Sequence, residues 1–160
     1  MMRWLMRLEL VKEWMTRDVI TAVPDLLLLD ADKLMREHGI RRLPVVDENG
    51  RLQGIVTYGD IREARPSSAS SLSTWEMNYL LANLTLGEVM TKEPTTVTPD
   101  MMIGEAASKM LHYRISSLPV VDEDNRVIGI ITESDIFRLV ARDWERLQAE
   151  STQPYAHYGE

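Results

Sequence analysis

Two short segments of the chain carry the same frame of a glycine, a threonine and an aspartate. "GIVTYGD" runs from Gly54 to Asp60, and "GIITESD" runs from Gly129 to Asp135. In each segment the threonine ends a predicted strand, and the aspartate lies three residues later in the first turn of a predicted helix. A hydroxyl and an acid at this spacing form a capping box at a helix start. The frame therefore has a structural interpretation that needs no ligand.

The same geometry is also suited to binding a nucleotide. A helix N-terminus offers unpaired N–H groups to an anion such as phosphate. The threonine hydroxyl adds a donor, and a carboxylate has two oxygens that can accept from both hydroxyls of a ribose. The glycine is expected to let a flat molecule approach the strand. Spacing alone does not decide between capping and nucleotide binding.

The frame occurs twice because the chain is an internal repeat. A shift of 75 positions places Met15 on Met90 (90 − 15 = 75) without a gap. The same shift superposes two identical "LPVVDE" segments, Leu43–Glu48 and Leu118–Glu123. A long repeat present only twice indicates a duplicated domain rather than a solenoid, which needs at least three copies.

Both repeats predict the same succession of elements. An extended stretch (19–23 or 95–98) is followed by a helix, a β-hairpin and a second helix that begins after the threonine. Gly39 follows the first helix, where a left-handed cap is common. Arg114 takes that place in the second repeat, so a different cap is expected there. The predicted divisions are an N-terminal arm (1–10), repeat one (11–65), a linker with a short helix (66–85), repeat two (86–143), and a helix end with a disordered tail (144–160).

Composition excludes several classes of function. The 160 residues have a net charge of −7, which argues against a general nucleic-acid binder. They include no cysteine, so disulfides and thiolate metal sites are excluded. The three histidines are scattered, which predicts no metal site, and no nucleophile motif or phosphate-binding loop indicates catalysis. No stretch resembles a signal peptide or a membrane span. A cytoplasmic, non-enzymatic protein is predicted.

The segments around the frame add a family resemblance. "HGIRRLPVVDENGRLQGIVTYGDI" and its copy "YRISSLPVVDEDNRVIGIITESDI" resemble the cystathionine β-synthase domain family, called CBS domains, which occur in tandem pairs known as Bateman modules. The resemblance implies an α/β (α+β) fold of two β-α-β-β-α units related by a pseudo-twofold axis. It implies clefts that bind AMP, ADP, ATP, NAD or S-adenosylmethionine, and homodimers that form a four-domain disc. The short layout is similar to stand-alone CBS proteins, whose effector would be a separate protein.

The resemblance also implies two clefts, each built from both repeats. In the stronger cleft, Asp135 would hold the ribose, Thr132 and Ser134 would donate to phosphate, Ile20 and Ile40 would line the base slot, and Arg41 and Arg42 would neutralise phosphate charge. The weaker cleft would contain Thr57, Gly59, Asp60, Thr95, Ile115 and Ser116. Serines replace the two arginines there, so a less charged ligand is expected. No catalytic cofactor and no metal are implied.

Two hypotheses remain open from the sequence. The first is a regulatory module that senses an adenosyl ligand, and the second is a structural dimerisation module whose threonines and aspartates only cap helices. The apolar runs Leu26–Leu29 and Met101–Ile103 are more hydrophobic than one helix face requires. They are interpreted as part of a symmetric dimer interface, together with Trp4, Leu5 and Leu8 of the N-terminal arm.

Overall fold

A computed structural model describes residues 9–65 and 72–151 of the chain. The elements are α1 (Val11–Trp14), α2 (Leu28–His38), β1 (Arg42–Val46), β2 (Leu52–Thr57), α3 (Tyr58–Glu63), α4 (Thr74–Asn83), α5 (Leu86–Val89), β3 (Thr91–Lys92), α6 (Ile103–Tyr113), β4 (Ser117–Val121), β5 (Val127–Thr132) and α7 (Glu133–Ser151). The mixed helix and strand fold confirms the predicted class. The arm residues Trp4, Leu5 and Leu8, the first part of the predicted linker (66–71) and the end of the predicted tail (152–160) lie outside the described residues.

The two hairpins repeat the same register. In the first hairpin Leu43 lies opposite Val56, and in the second Leu118 lies opposite Ile131. The extended stretches predicted before α2 and α6 each form one parallel bridge, Ala22 with Val45 and Val97 with Val120. They are therefore extended segments along the hairpins and not full strands.

The pseudo-twofold axis passes between the two hairpin turns. Arg51 and Arg126 occupy equivalent positions (126 − 51 = 75) and form an antiparallel bridge with each other. On either side, the N–H of Leu52 donates to the carbonyl of Asn125, and the N–H of Val127 donates to the carbonyl of Gly50. On a twofold axis, a residue of one repeat meets the equivalent residue of the other repeat, as Arg51 meets Arg126.

Each repeat contributes its first segment to the core of the other repeat. Val11 and Met15 are buried in the cluster around Leu118 and Ile131 of the second repeat. Leu86 is buried in the cluster around the first repeat's hairpin. We call residues 10–16 and 85–91 the crossing segments. Both apolar cores therefore contain residues from both halves of the chain.

The crossing segments also cover the two apolar runs. Leu28 and Ile103 are fully or nearly fully buried, at 0% and 3% exposure. The Leu86 N–H donates to the Leu26 carbonyl at 2.9 Å, and the Val11 N–H donates to the Met101 carbonyl at 2.9 Å. Leu28 and Ile103 thus pack within the chain, whereas Leu27, Leu29 and Met102 of the same runs are exposed, so the interpretation of the runs as part of a dimer interface stays a prediction.

The caps of α2 and α6 are alike, which contradicts the prediction of a different cap at Arg114. Gly39 has φ 64° and Arg114 has φ 54°, and both backbones are left-handed. The N–H of each residue donates to the last carbonyls of its helix. A side chain in this conformation costs roughly 1–2 kcal/mol. The second repeat keeps the cap geometry in spite of that cost.

Candidate functional site

The threonine and aspartate of the first frame form the predicted capping box. Thr57 ends β2, and its N–H and hydroxyl donate to Oδ2 of Asp60 at 2.6 and 2.8 Å. The Asp60 N–H donates back to Thr57 Oγ1 at 3.2 Å. In the second frame, the Thr132 N–H and hydroxyl donate to Oδ2 of Asp135 at 2.8 and 3.0 Å. Capping is thus a role of both pairs. It uses only Oδ2 of each aspartate, so Oδ1 takes no part in the cap.

The two carboxylates differ in what their second oxygen contacts. Asp135 is only 2% exposed, and Arg138 donates to its Oδ1 at 2.8 Å. Arg138 was not among the predicted site residues, although its i, i+3 spacing from Asp135 on a predicted helix is a recognised signal. Glu63 occupies the equivalent position in the first repeat (138 − 75 = 63). Within residues 9–65 and 72–151, Oδ1 of Asp60 has no hydrogen-bond donor, so it is the less engaged acceptor.

Arg42 connects the two repeats. It begins β1 and is partly buried, and its Nη2 donates to the hydroxyl of Ser116. Burial lowers the pKa of the Arg42 guanidinium, an effect that the Glu133 carboxylate opposes and the Arg41 charge reinforces. Arg42 and Ser116 were predicted to belong to different clefts. The structure brings them into direct contact.

A second pair of contacts fixes the start of each helix that follows the frame. The Tyr58 N–H donates to the Arg41 carbonyl at 2.9 Å, and the Glu133 N–H donates to the Ser116 carbonyl at 3.1 Å. These are repeat equivalents, so α3 and α7 both begin against the turn that precedes the first strand of their own hairpin. Because Arg42 reaches Ser116, its guanidinium lies close to the start of α7.

The remaining predicted residues lie at different depths. The partly buried ones are Ile20, Ile40, Thr95 and Ile115, and the exposed ones are Arg41, Gly59 and Ser134. The isoleucines pack against the two apolar cores. Among the described residues, no hydrogen bond joins Asp135 to the first repeat. The grouping of these residues into two clefts therefore stays a prediction.

The glycines of the frame do not leave room for a flat ligand, and that expectation is wrong. A Cβ on Gly54 would lie 2.5 Å from Sδ of Met90, and one on Gly129 would lie 2.5 Å from Sδ of Met15. Both methionines belong to the crossing segments. The glycines are therefore required by packing between the repeats.

A polar cavity lies apart from the predicted site residues. A cavity of about 390 Å³ lies beside Thr95, lined by Leu52, Gln53, Glu93, Pro94, Thr96 and Asn125. It contains none of the predicted ligand-binding residues. Across the part of the chain that the structure describes, no three His, Asp or Glu side chains are grouped as metal ligands. In that same part, every helix is too short or too polar to cross a bilayer.

Comparison with known proteins identifies both repeats. The model of the CBS domain matches residues 11–67 and 86–142. A CBS domain-containing protein of Dictyostelium discoideum is 32% identical over 142 residues, which are 89% of this chain and 98% of that protein. The L-aspartate semialdehyde sulfurtransferase of Methanocaldococcus jannaschii is 36% identical over 132 residues, or 82% of this chain. The chain spans only 23% of the sulfurtransferase, and about a quarter of several other enzymes that it matches.

Solved structures share the fold of the pair. The CBS domain pair of protein MJ0100, in complex with 5′-methylthioadenosine and S-adenosyl-L-methionine, has a TM-score of 0.72 and 36% identity, over 85% of this chain and 98% of that one. CBSX2 of Arabidopsis thaliana, in complex with AMP, has a TM-score of 0.70 and 30% identity, over 83% and 97%. The bound compounds in both structures contain an adenosyl group.

Proposed function

Because the chain belongs to the CBS domain family, we propose that it is a regulatory module whose two clefts bind adenosyl ligands. AMP, ADP and ATP are the first candidates, and NAD and S-adenosylmethionine are further ones. Occupancy would be transmitted by a conformational change to a second copy of the chain and to a separate effector protein in the cytoplasm. The observation that carries the proposal is the partly buried Arg42, which lies between the repeats close to the start of α7.

A guanidinium in this position gains from an anionic ligand. Arg42 is partly buried, and burial lowers its pKa, so its charge is incompletely solvated. Its side-chain partner is the neutral hydroxyl of Ser116. A phosphate would give it a charged, bidentate partner instead. At the start of α7, the exposed Ser134 adds a hydroxyl to the same region, and Thr132, whose hydroxyl and N–H already donate to Asp135, would have to exchange that hydrogen bond to donate to a phosphate.

The other cleft suits a ligand with less charge. Ser116 and Ser117 replace the two arginines there. Asp60 keeps Oδ1 free of donors among the described residues, so this oxygen is available to a ribose hydroxyl. We propose that this cleft binds an uncharged adenosyl ligand, such as a nucleoside. The residues that would contact it are Thr57, Gly59, Asp60, Thr95, Ile115 and Ser116.

An exposed apolar stripe on α7 supports self-association. Phe137, Val140, Trp144 and Leu147 are 69%, 52%, 62% and 54% exposed, at positions i, i+3, i+7 and i+10 of one helix face. This spacing is typical of helices that pair along a seam. We propose that the stripe contacts a second copy of the chain. The observation also keeps a second candidate function open, a structural dimerisation module that binds no nucleotide.

A thermal-shift panel with AMP, ADP, ATP, NAD and S-adenosylmethionine tests the ligand proposal. A ligand at 100 times its dissociation constant stabilises the folded state by about 2.7 kcal/mol. For a chain of this length that raises the midpoint by roughly 5–10 °C. Asp135→Ala should abolish the largest response, measured against the variant's own ligand-free midpoint. Asp124→Ala is the control, because Asp124 is exposed in a hairpin turn.

Sedimentation velocity on the same samples separates the two functions. Adenosyl-dependent stabilisation that is lost with Asp135→Ala supports the regulatory module. A ligand-free dimer at micromolar concentration, with no response to any compound of the panel, supports the structural module and rejects the proposed clefts. A monomer under all conditions contradicts the proposed role of the α7 stripe.

A further inference from the structure

The exposed sides of the helices differ between the two repeats. In the first repeat they carry three exposed arginines, which we call the basic face: Arg36, Arg62 and Arg65. A shift of 75 positions places these arginines on three exposed apolar residues, which we call the apolar face: Leu111, Phe137 and Val140 (36 + 75 = 111, 62 + 75 = 137, 65 + 75 = 140). The two halves of the chain therefore offer a partner surfaces of opposite character.

Contacts with one buried carboxylate fix the basic face. Asp32 of α2 is only 1% exposed, and its Oδ2 accepts from Nη2 of Arg36 at 2.7 Å and from Nη2 of Arg65 at 2.8 Å. The equivalent of Asp32 is Ala107 (32 + 75 = 107), so the second repeat has neither the acid nor the arginines. Because the side chains of Arg36 and Arg65 meet at one oxygen, their equivalents on α6 and α7 should be neighbours as well.

The apolar face continues along α7. Leu111 is 82% exposed on α6, and Phe137 and Val140 begin the exposed stripe that ends with Trp144 and Leu147. The apolar surface thus spans two helices of the second repeat. A contiguous exposed surface of this kind is typical of a protein–protein contact site.

The character of the two faces decides which surface can cover the apolar face. A basic face pressed onto it would lose the hydration of its guanidinium groups without gaining polar partners, which is costly. Two basic faces would bring like charges together. A second apolar face loses no polar hydration, and the same surface on two copies can pair about a twofold axis.

We propose that two copies of the chain pair through their second repeats, apolar face against apolar face, and that the basic faces stay in water outside this contact. The inference rests on the self-association proposed above for the α7 stripe, and it names the surface that the stripe contacts. An assembly in which the first repeats also met through their equivalent helices would be opposed by their arginines.

Sedimentation velocity of single variants of the full chain tests the contact. Phe137→Arg installs the residue type that the first repeat has at this position, and it should raise the dimer dissociation constant by about tenfold or more, as for an interface anchor. Arg62→Ser is the matched control at the equivalent position of the basic face. Tyr79→Ser is a second control, because Trp75 and Tyr79 of α4 are also exposed and stack on each other. Both controls should leave the constant within about twofold, and circular dichroism checks that every variant is folded.

Cross-linking identifies the repeats that meet. The chain has no cysteine, so a single introduced cysteine is the only thiol available to a bismaleimide reagent. Ser108 is exposed on α6 one turn before Leu111, and Lys33 is its exposed equivalent in the first repeat (33 + 75 = 108). Ser108→Cys should give a covalent dimer, and Lys33→Cys should not.

Three results would overturn the inference and leave self-association through the α7 stripe in place. They are a covalent dimer of Lys33→Cys, no covalent dimer of Ser108→Cys, and a dimer that Arg62→Ser or Tyr79→Ser weakens as strongly as Phe137→Arg does. A dimer that Phe137→Arg leaves intact, or an unsubstituted chain that is monomeric, rejects both the inference and the role of the stripe. The proposed binding of adenosyl ligands is judged separately, by the thermal-shift panel.

Discussion

Alanine at Gly54 should destabilise the protein more than alanine at the equivalent Gly129. A Cβ on Gly54 would lie 2.5 Å from Sδ of Met90 and 2.8 Å from the carbonyl oxygen of Thr91. The methionine side chain can move, because it is flexible. The carbonyl cannot move freely, since the Thr91 residue pairs with Ile55 in the sheet. The Gly54→Ala variant must therefore shift the crossing segment.

The second repeat contains the same contact with more room. A Cβ on Gly129 would lie 2.5 Å from Sδ of Met15, but 3.2 Å from the carbonyl oxygen of Thr16. Here a rotation of the methionine relieves most of the overlap. Overpacking a core costs typically 1–3 kcal/mol, so we expect about 3 kcal/mol for Gly54→Ala and about 1 kcal/mol for Gly129→Ala. The corresponding midpoint shifts are roughly 6–12 °C and 2–4 °C.

Urea unfolding followed by circular dichroism measures both free energies. Gly104→Ala is the matched control, because nothing lies within 4 Å of its added Cβ and the residue is in α6. Alanine there should stabilise the protein by about 0.5–1 kcal/mol. Equal costs at Gly54 and Gly129, or a cost at Gly54 below about 1 kcal/mol, would refute the packing of the crossing segments. Loss of ligand binding by Gly54→Ala without loss of stability would restore the view that the glycine admits a ligand.

Two further predictions concern helix ends. Arg114→Gly should raise the unfolding free energy by about 0.5 kcal/mol in urea titrations, because relief of the left-handed strain exceeds the entropy cost of glycine; a loss of stability would contradict this. Hydrogen bonds from Arg142 and then Trp14 lower the pKa of Glu9. A lowered pKa stabilises the folded state above the ordinary pKa, so the stability advantage over Glu9→Gln should be present at pH 7 and disappear as pH falls below about 4.5. An advantage that does not decrease as the pH is lowered below about 4.5 would disprove the contact.

The features that could be predicted from the sequence are those set by local patterns. The hairpins follow from alternating apolar residues around identical "LPVVDE" segments, and the Thr57 and Asp60 box follows from spacing alone. The crossing segments could not be predicted in this way. Val11 and Leu86 occupy equivalent positions in short apolar segments, and either could pack on the hairpin of its own repeat or of the other. That choice depends on chain connectivity and on tertiary packing, which no local pattern encodes.

The contacts at the cleft were unpredictable for a related reason. Ser116 was assigned to one cleft and Arg42 to the other, because each was compared with a pattern of positions and not with its neighbours. An arginine side chain is long enough to leave the region to which its backbone belongs. Arg138 is the opposite case, since its distance from Asp135 along one helix was visible in the sequence.

The shared cores limit how a CBS pair of this kind can transmit ligand binding. Each repeat buries a crossing segment of the other, so the repeats cannot separate without exposing Val11, Met15 or Leu86 to water. Burial of one large aliphatic side chain is worth about 1.5–3 kcal/mol. A ligand that separated the repeats would have to favour the separated state over the packed state by more than the total cost of exposing these side chains. Small rotations about the axis at Arg51 and Arg126 do not carry this cost. Such rotations are therefore the less costly route, and they would change contacts between the two repeats such as the hydrogen bond from Arg42 to Ser116.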